Sequence, residues 1–376
     1  MGVFWEMRSK KSVLFIANKC PHYRIPLFNA LAEKFDIDFV FTHEEKKITG
    51  LKASQKILRG IGRGKFKVHF GILKEIKTRE YDSVVMLPPD PLHLIDNLII
   101  YRFLRKHNIP FSFYVGRWEY KNTPFKQRIS EPFYRIMLRN AKSCICYGSK
   151  AKEWLVSQGV SKDKIFISYN INPEVYDNLR KSVTQKDGKG ETILYVGRLI
   201  KRKGVDYLLR AFSEIRKTNG NVRLILIGGG DFYKLGEKSE EFELKTLASK
   251  LNIEKDVVFL GHQGKAAIDS WYKKSDLFVC PSITLDNGEA WGHVIEESLS
   301  FGLPVITTDA VGAGYDLIEG GVNGFIVPEK DSGRLHEKIK SILDDPLLLE
   351  KMSKESRATL KKKKFSFEEI VNQFKF

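Results

Sequence analysis

No stretch of the chain holds about 18 uninterrupted apolar residues, so no segment reads as a membrane-spanning helix. The opening residues, Met1 to Lys11, carry charge with no apolar core long enough behind them for a signal peptide, and a cytoplasmic location is expected. Cysteine is scarce. The four present, Cys20, Cys144, Cys146 and Cys280, sit in or beside apolar runs, which points to reduced core thiols and not to a disulfide framework or a zinc site. No cluster of His, Cys and carboxylate has metal-ligand spacing. Asp36-Ile37-Asp38 has the acid-x-acid spacing of a metal-binding pair but lies inside a strand-like alternation, so it reads as accidental and no metal is expected. Acid is in deficit: 46 Asp and Glu stand against 63 Lys and Arg, a net charge of +17. Such a balance asks for nucleic acid, an anionic membrane surface or an anionic small molecule as partner. Helix-turn-helix, zinc and RNA-binding signatures are all missing, which argues against nucleic acid.

What is present fits two globular domains. The length of 376 residues exceeds one average core, and 42% hydrophobic with 12% aromatic residues suits packed structure. Two series of apolar runs alternate with helical patterns, which predicts an α/β chain with parallel sheets. The first series has strands at Ser12–Ala17, Asp36–Thr42, Lys67–Gly71, Ser83–Leu87, Phe111–Val115, Ser143–Tyr147 and Ile165–Tyr169. Helical patterns run at Pro26–Lys34, Leu92–Lys106, Phe125–Asn140 and Lys150–Gln158. Asn178 to Gly190 is polar, charged and poor in large apolar groups, as a linker is. The second series has strands at Thr192–Val196, Val222–Ile227, Val257–Leu260, Leu277–Cys280, Pro304–Thr307 and Gly324–Val327. Helices follow at Gly333–Leu343, Pro346–Ala358 and Phe367–Phe376. Basic and aromatic residues mix at Leu58–Lys67, Tyr101–Lys106 and Arg117–Arg128. That mixture suits a bilayer surface, with a plain solvated face as the alternative. The run Lys361–Lys364 reads as a solvated helix end.

The richest segment is Asn287-Gly288-Glu289-Ala290-Trp291-Gly292-His293-Val294-Ile295-Glu296-Glu297-Ser298. It joins a strand to a helix, and a helix start attracts anions through its free N–H groups. Two carboxylates beside an anion site call for other partners, such as the hydroxyls of a sugar and of a ribose. A ligand with a sugar, a diphosphate and a ribose is a nucleotide sugar. The plainer reading of Glu297 is a charge placed well at the positive end of a helix. Upstream, Tyr195-Val196-Gly197-Arg198-Leu199 ends a strand, and Lys203-Gly204 opens the next helix. Arg198 and Lys203 there suit a diphosphate, or are ordinary surface cations.

Glu289 and Glu297, eight residues apart and followed by Gly302-Leu303-Pro304-Val305-Ile306, resemble the Glu-x7-Glu signature of retaining nucleotide-sugar glycosyltransferases of the GT-B type, family 4. Here the first acid opens Glu289-Ala290-Trp291-Gly292, where the family usually has Glu-Gly-Phe-Gly. The Gly197-Arg198-Leu199…Lys203-Gly204 spacing, Gly228-Gly229-Gly230-Asp231, Gly261-His262-Gln263-Gly264 and the glycine turns at Val311–Asp316 and Gly320–Phe325 are similar to that family in the same order. Pro21-His22-Tyr23-Arg24-Ile25-Pro26 resembles the opening of one of its branches. The resemblance implies two Rossmann-like domains facing across a cleft. Residues 1–180 would bind the acceptor, with a final helix completed by residues 355–376, and residues 190–355 would bind the donor.

The resemblance further implies transfer of a sugar from a UDP- or GDP-sugar to an acceptor hydroxyl with retained configuration. The acceptor class is a lipid-linked or cell-surface glycan precursor, met at the inner face of the membrane. Arg198, Lys203 and Glu289 would carry catalysis. Glu297, Gly292, His293, Val294, Gly197, Gly229 and His262 would bind the donor, and His22, Arg24 and Arg117 are acceptor candidates. Many family members place a His after the strand at Phe111–Val115; here Gly116-Arg117-Trp118-Glu119 stands there. No cofactor is implied beyond the donor. A nucleotide-sugar 2-epimerase shares the two-domain plan but not the paired acids, a glycan phosphorylase needs a cofactor lysine and a longer chain, and a basic nucleic-acid-binding protein is the non-enzymatic alternative.

Overall fold

The structure, a computed structural model, describes residues 10–63, 66–118, 125–172, 175, 179, 191–230, 240–285, 288–363 and 367–376. The expected linker from Asn178 to Gly190 lies outside these residues save Leu179, as do Glu119, Asp231 and Asn287.

Two compact units emerge. The first comprises residues 1–119, 123–169 and 365–376, and the second residues 120–122 and 170–364. The first holds β1 (Ser12–Ala17), β2 (Asp36–Phe41), β3 (Ser54–Ile57), β4 (Ile61–Arg63), β5 (Phe66–Val68), β6 (Ser83–Met86), β7 (Phe111–Val115), β8 (Ser143–Cys146) and β9 (Ile165–Ile167). Seven of these form one sheet in the order β3-β2-β1-β6-β7-β8-β9, with parallel pairings throughout. The second unit holds β10 (Glu191–Val196), β11 (Val222–Ile227), β12 (Val257–Phe259), β13 (Leu277–Cys280), β14 (Val305–Thr308) and β15 (Gly324–Val327). They pair in parallel in the order β12-β11-β10-β13-β14-β15. Both orders step outward from the first strand, return, and step out the other way. That reversal leaves a crevice at the carboxyl ends of β1 and β6, and of β10 and β13, where doubly wound sheets bind ligands.

The strands are the apolar runs of the sequence because a parallel sheet covered by helices on both faces buries both sides of each strand. Ile193, Leu194, Leu224, Leu226, Leu277 and Val279 are almost wholly buried. Two expectations shift. Lys67–Gly71 was expected as a strand of the main sheet; Phe66–Val68 instead pairs antiparallel with Ile61–Arg63 as a separate hairpin. The edge strand Ser54–Ile57 was not anticipated, since Ser-Gln-Lys-Ile has no apolar run.

Residues 365–376 cluster with the first unit. The Pro346–Lys362 helix stays with the second unit because Ser356 Oγ donates to Leu303 O at 2.9 Å and Asn323 Nδ2 donates to Thr359 Oγ1 at 3.1 Å. Beyond it, Lys11 Nζ donates to the Phe376 carbonyl at 2.9 Å, and Phe376 meets Phe35 with ring centroids 4.8 Å apart. The four cysteines are buried and free. Asp36 and Asp38 lie in β2, and Arg79 pairs with both, at 2.8 and 3.0 Å.

Candidate active site

The second unit's site is laced together by backbone at the strand ends. Gly197 N donates to Ile227 O at 2.9 Å, Leu199 N to Gly229 O at 2.8 Å, and Gly228 N to Gly261 O at 2.8 Å. Gly228 has φ +133°, and a Cβ there would lie 1.9 Å from Gly197 O, so no other residue fits. A Cβ on Gly229 would meet the His262 ring at 2.6 Å. Gly197, Gly229 and His262, which stand in three separate motifs, therefore sit together at one edge. Arg198 is exposed beside them, with its carbonyl held by Tyr195 OH at 2.8 Å.

Next comes a basic 3-10 turn, Lys201–Lys203, closed by Gly204 in the left-handed region (φ +64°). A Cβ on Gly204 would stand 2.1 Å from Pro281 O, and Ile283 N donates to Arg202 O at 2.9 Å. These contacts pin the turn to the end of β13, at the point where the strand order reverses. Opposite it, the loop before the His293–Ser300 helix is zipped to the next loop. Glu289 N donates to Ala310 O, Gly312 N to Glu289 O and Ala313 N to Trp291 O, each at 2.9 Å.

The two loops meet through charge. The Glu289 carboxylate accepts from Arg202 Nη1 at 3.0 Å and from Lys203 Nζ through the same oxygen. Burial pushes the Glu289 carboxyl up, but Lys203 and Arg202 more than offset it and hold it below the ordinary carboxylate range. Gly292 (φ +96°) then turns the chain into the helix. His293 and Val294 are the first two residues of that helix, so their amides lie at its positive end.

Successive residues of a helix point about 100° apart, so Glu296 and Glu297 part company. Glu296 is wholly buried and accepts from Asn172 N (2.7 Å), His293 Nδ1 (2.9 Å) and Trp291 Nε1 (3.2 Å). It thus clamps the loop to the helix start, as a buried carboxylate must be paired to be tolerated. Glu297 is half-buried and accepts from Tyr272 OH at 3.2 Å. Burial pushes its carboxyl up, and Glu296 pushes it further.

Sequence reading missed Arg202 and Glu296. Arg202 is one of three consecutive cations, and Glu296 is one of two consecutive acids; only the turn and the helix phase tell them from their neighbours.

The acceptor candidates lie in the first unit. His22 is exposed at the start of a 3-10 turn after β1. The Arg24 guanidinium lies 5.7 Å from the Tyr114 ring centroid and 5.6 Å from that of Tyr147, and it donates to Tyr147 OH. Arg24 Nε and Tyr114 OH are buried with no hydrogen-bond partner among the described residues. Arg117 stacks on Trp154 at 4.8 Å and lies 4.0 Å from Glu131. A histidine cluster also forms here. His69 bonds Asp96 at 2.8 Å and Thr42 O at 2.9 Å, and the His43 ring lies 5.6 Å from His69 and 5.4 Å from His93. Burial drives the His93 imidazole down to about 4, Asp90 opposing and His43 adding to the fall.

Two parallel sheets of Rossmann order, with a charged loop pair at the reversal point of the second, define a GT-B fold. The solved structure of Anabaena HepE in complex with UDP has the same fold, with a TM-score of 0.70, 19% identity, and coverage of 96% of this chain and 98% of that one. Residues 177–359, which lie within the second unit, match the family described as glycosyl transferases group 1.

Among relatives, an uncharacterized glycosyltransferase of Haemophilus influenzae is 24% identical over 93% of both chains. Another, of Methanocaldococcus jannaschii, is 31% identical over 49% of this chain and 46% of its own. The capsular polysaccharide biosynthesis glycosyltransferase CapM of Staphylococcus aureus is 29% identical over 55% of this chain and 49% of its own. The chain thus spans about half the length of the latter two.

Proposed function

We propose that the protein transfers a sugar from a nucleoside diphosphate sugar to a hydroxyl of a glycan or glycolipid precursor, retaining the anomeric configuration and needing no metal. The observation that carries this is the convergence of Lys203 and Arg202 on Glu289 beside a helix start, at the reversal point of a parallel sheet. Two cations there stabilise the negative charge that grows on a departing diphosphate. The amides of His293 and Val294 face the same charge. Glu289, kept ionised, and Glu297 accept from hydroxyls of the sugar and of the ribose. Gly197, Gly229 and His262 line the nucleotide side, and Arg198 adds a further cation.

The departing phosphate takes the acceptor proton, so no protein base is required. His22 and Arg24 are the acceptor-facing residues of this reading; the buried unpartnered Nε of Arg24 supports it, while Arg117 is engaged by Trp154 and Glu131. The UDP complex of the Anabaena protein and the capsular role named for the Staphylococcus relative agree with a nucleotide donor and a polysaccharide product.

The test is a panel of UDP- and GDP-sugars screened for thermal stabilisation. A donor at about 100 times its Kd adds about 2.7 kcal/mol of stability, a shift of several degrees. A flat response to every nucleoside diphosphate sugar, and to UDP and GDP themselves, sinks the proposal.

A further inference from the structure

Every large hydrophobic residue exposed in the described part of the first unit falls on three adjoining elements. They are Ile61 and Phe70 in and just after the β4–β5 hairpin, Ile95 at the start of the Leu94–Lys106 helix, and Ile129, Phe133 and Ile136 on the Phe125–Asn140 helix, exposed by 44 to 74%. The last three are spaced by four and three residues, which puts them on one helix face.

The elements are fastened to each other from beneath. Asp96 accepts from the backbone and the ring of His69, so the neighbours of that pair, Ile95 and Phe70, emerge side by side. Asn97 Nδ2 donates to Tyr134 OH at 3.2 Å, and Tyr134 OH donates to Asp90 O at 2.7 Å, which ties in the helix that carries Phe133.

Charge on this face has one sign. From Arg128 onward, the exposed positions of the Phe125–Asn140 helix are Arg, Ile, Pro, Phe, Arg, Ile, Arg and Asn. The exposed positions of the neighbouring helix are Ile95, Arg102, Arg105 and Lys106. The acids of both helices are turned away: Asp96 is buried under His69, and Glu131 is drawn toward Arg117.

We infer that this face of the first unit docks on an anionic phospholipid bilayer, its apolar side chains entering the interface and its cations meeting the headgroup charge. Water gains nothing from a rigid apolar patch of this kind, and a neutral protein partner gives the missing acids no reason. Anionic headgroups answer both features, each Lys or Arg near the surface adding attraction that fades with salt. The inference stands apart from the transferase reading, since vesicle binding needs no donor.

Co-sedimentation of the whole chain with vesicles of phosphatidylcholine, alone or mixed with phosphatidylglycerol, tests it. Binding to the anionic vesicles is expected to be at least about tenfold stronger and to weaken as salt rises. The variant I129S/F133S/I136S is expected to lose at least about tenfold while its Tm stays within a few degrees, because the replaced groups are solvent-facing. R102Q/R128Q is expected to lose affinity for anionic vesicles selectively. Leu347→Ser, at an exposed apolar site of the second unit, is expected to bind as the parent does. Failure of the parent to bind anionic vesicles, or a triple variant that binds equally well, overturns the inference. A parent that sediments as a dimer free of lipid, with a monomeric triple variant, would assign the face to a second copy and overturn it too.

Discussion

Lys203→Ala separates chemistry from architecture at this site. The Lys203 side chain is 14% exposed and its partner Glu289 22%, so neither is in bulk solvent. An ammonium about 4 Å from a full negative charge, at an effective dielectric near 20, gains about 4 kcal/mol. Only charge that develops during departure of the diphosphate lowers the barrier, so about 2–3 kcal/mol is the expected loss. That is a fall in kcat of about 30- to 200-fold. Stability should change far less. Glu289 keeps Arg202 at 3.0 Å, so removing Lys203 does not strand a carboxylate, and about 1 kcal/mol or less is at stake. The assay pairs turnover of the donor identified by the thermal screen with a melting curve of the free protein. Unchanged kcat in a normally folded variant would refute the leaving-group role. A melting temperature lower by ten degrees or more would refute the claim that Arg202 suffices to hold Glu289.

Glu297 has a raised folded-state pKa, so its contribution favours the folded state at low pH and is lost as pH rises through that raised value. Glu297→Gln should therefore melt higher than the parent at neutral pH, with the gain shrinking on acidification, while donor stabilisation weakens; a lower Tm at neutral pH would contradict this. His93 has the opposite sense: with the imidazole depressed to about 4, stability is present above the ordinary histidine value and is lost as pH falls from about 6.5 toward 4. His93→Gln should flatten that acid limb by about 2 kcal/mol in denaturant melts, and an equally steep limb would show that the cluster is not its source. Turnover should persist in excess EDTA, and abolition restored by Mg²⁺ or Mn²⁺ would contradict the metal-free reading.

Both sheets were legible in the sequence because strands buried on two faces must be apolar runs, as at Ile193–Val196 and Leu224–Ile227. The loop motifs were legible for a related reason. Gly204, Gly228 and Gly292 occupy backbone regions or close approaches that exclude side chains, so their letters report geometry directly. Glu289 and Lys203 stand out in the sequence because each lies a few residues from such a glycine, Gly292 and Gly204. Edge strand Ser54–Ile57 was not, since an edge faces solvent and carries no apolar run. Nor was the hairpin, because the partner of Phe66–Val68 is chosen by pairing and not by composition.

Tertiary structure alone decided which acid of Glu296 and Glu297 turns inward, since that depends on helix phase against Trp291 and Asn172. It alone gave Glu289 a second cation in Arg202, and it alone gathered His43, His69 and His93 from three separate segments. Local sequence records what a backbone position permits, whereas a charge's partner is set by which strand ends the sheet order brings side by side.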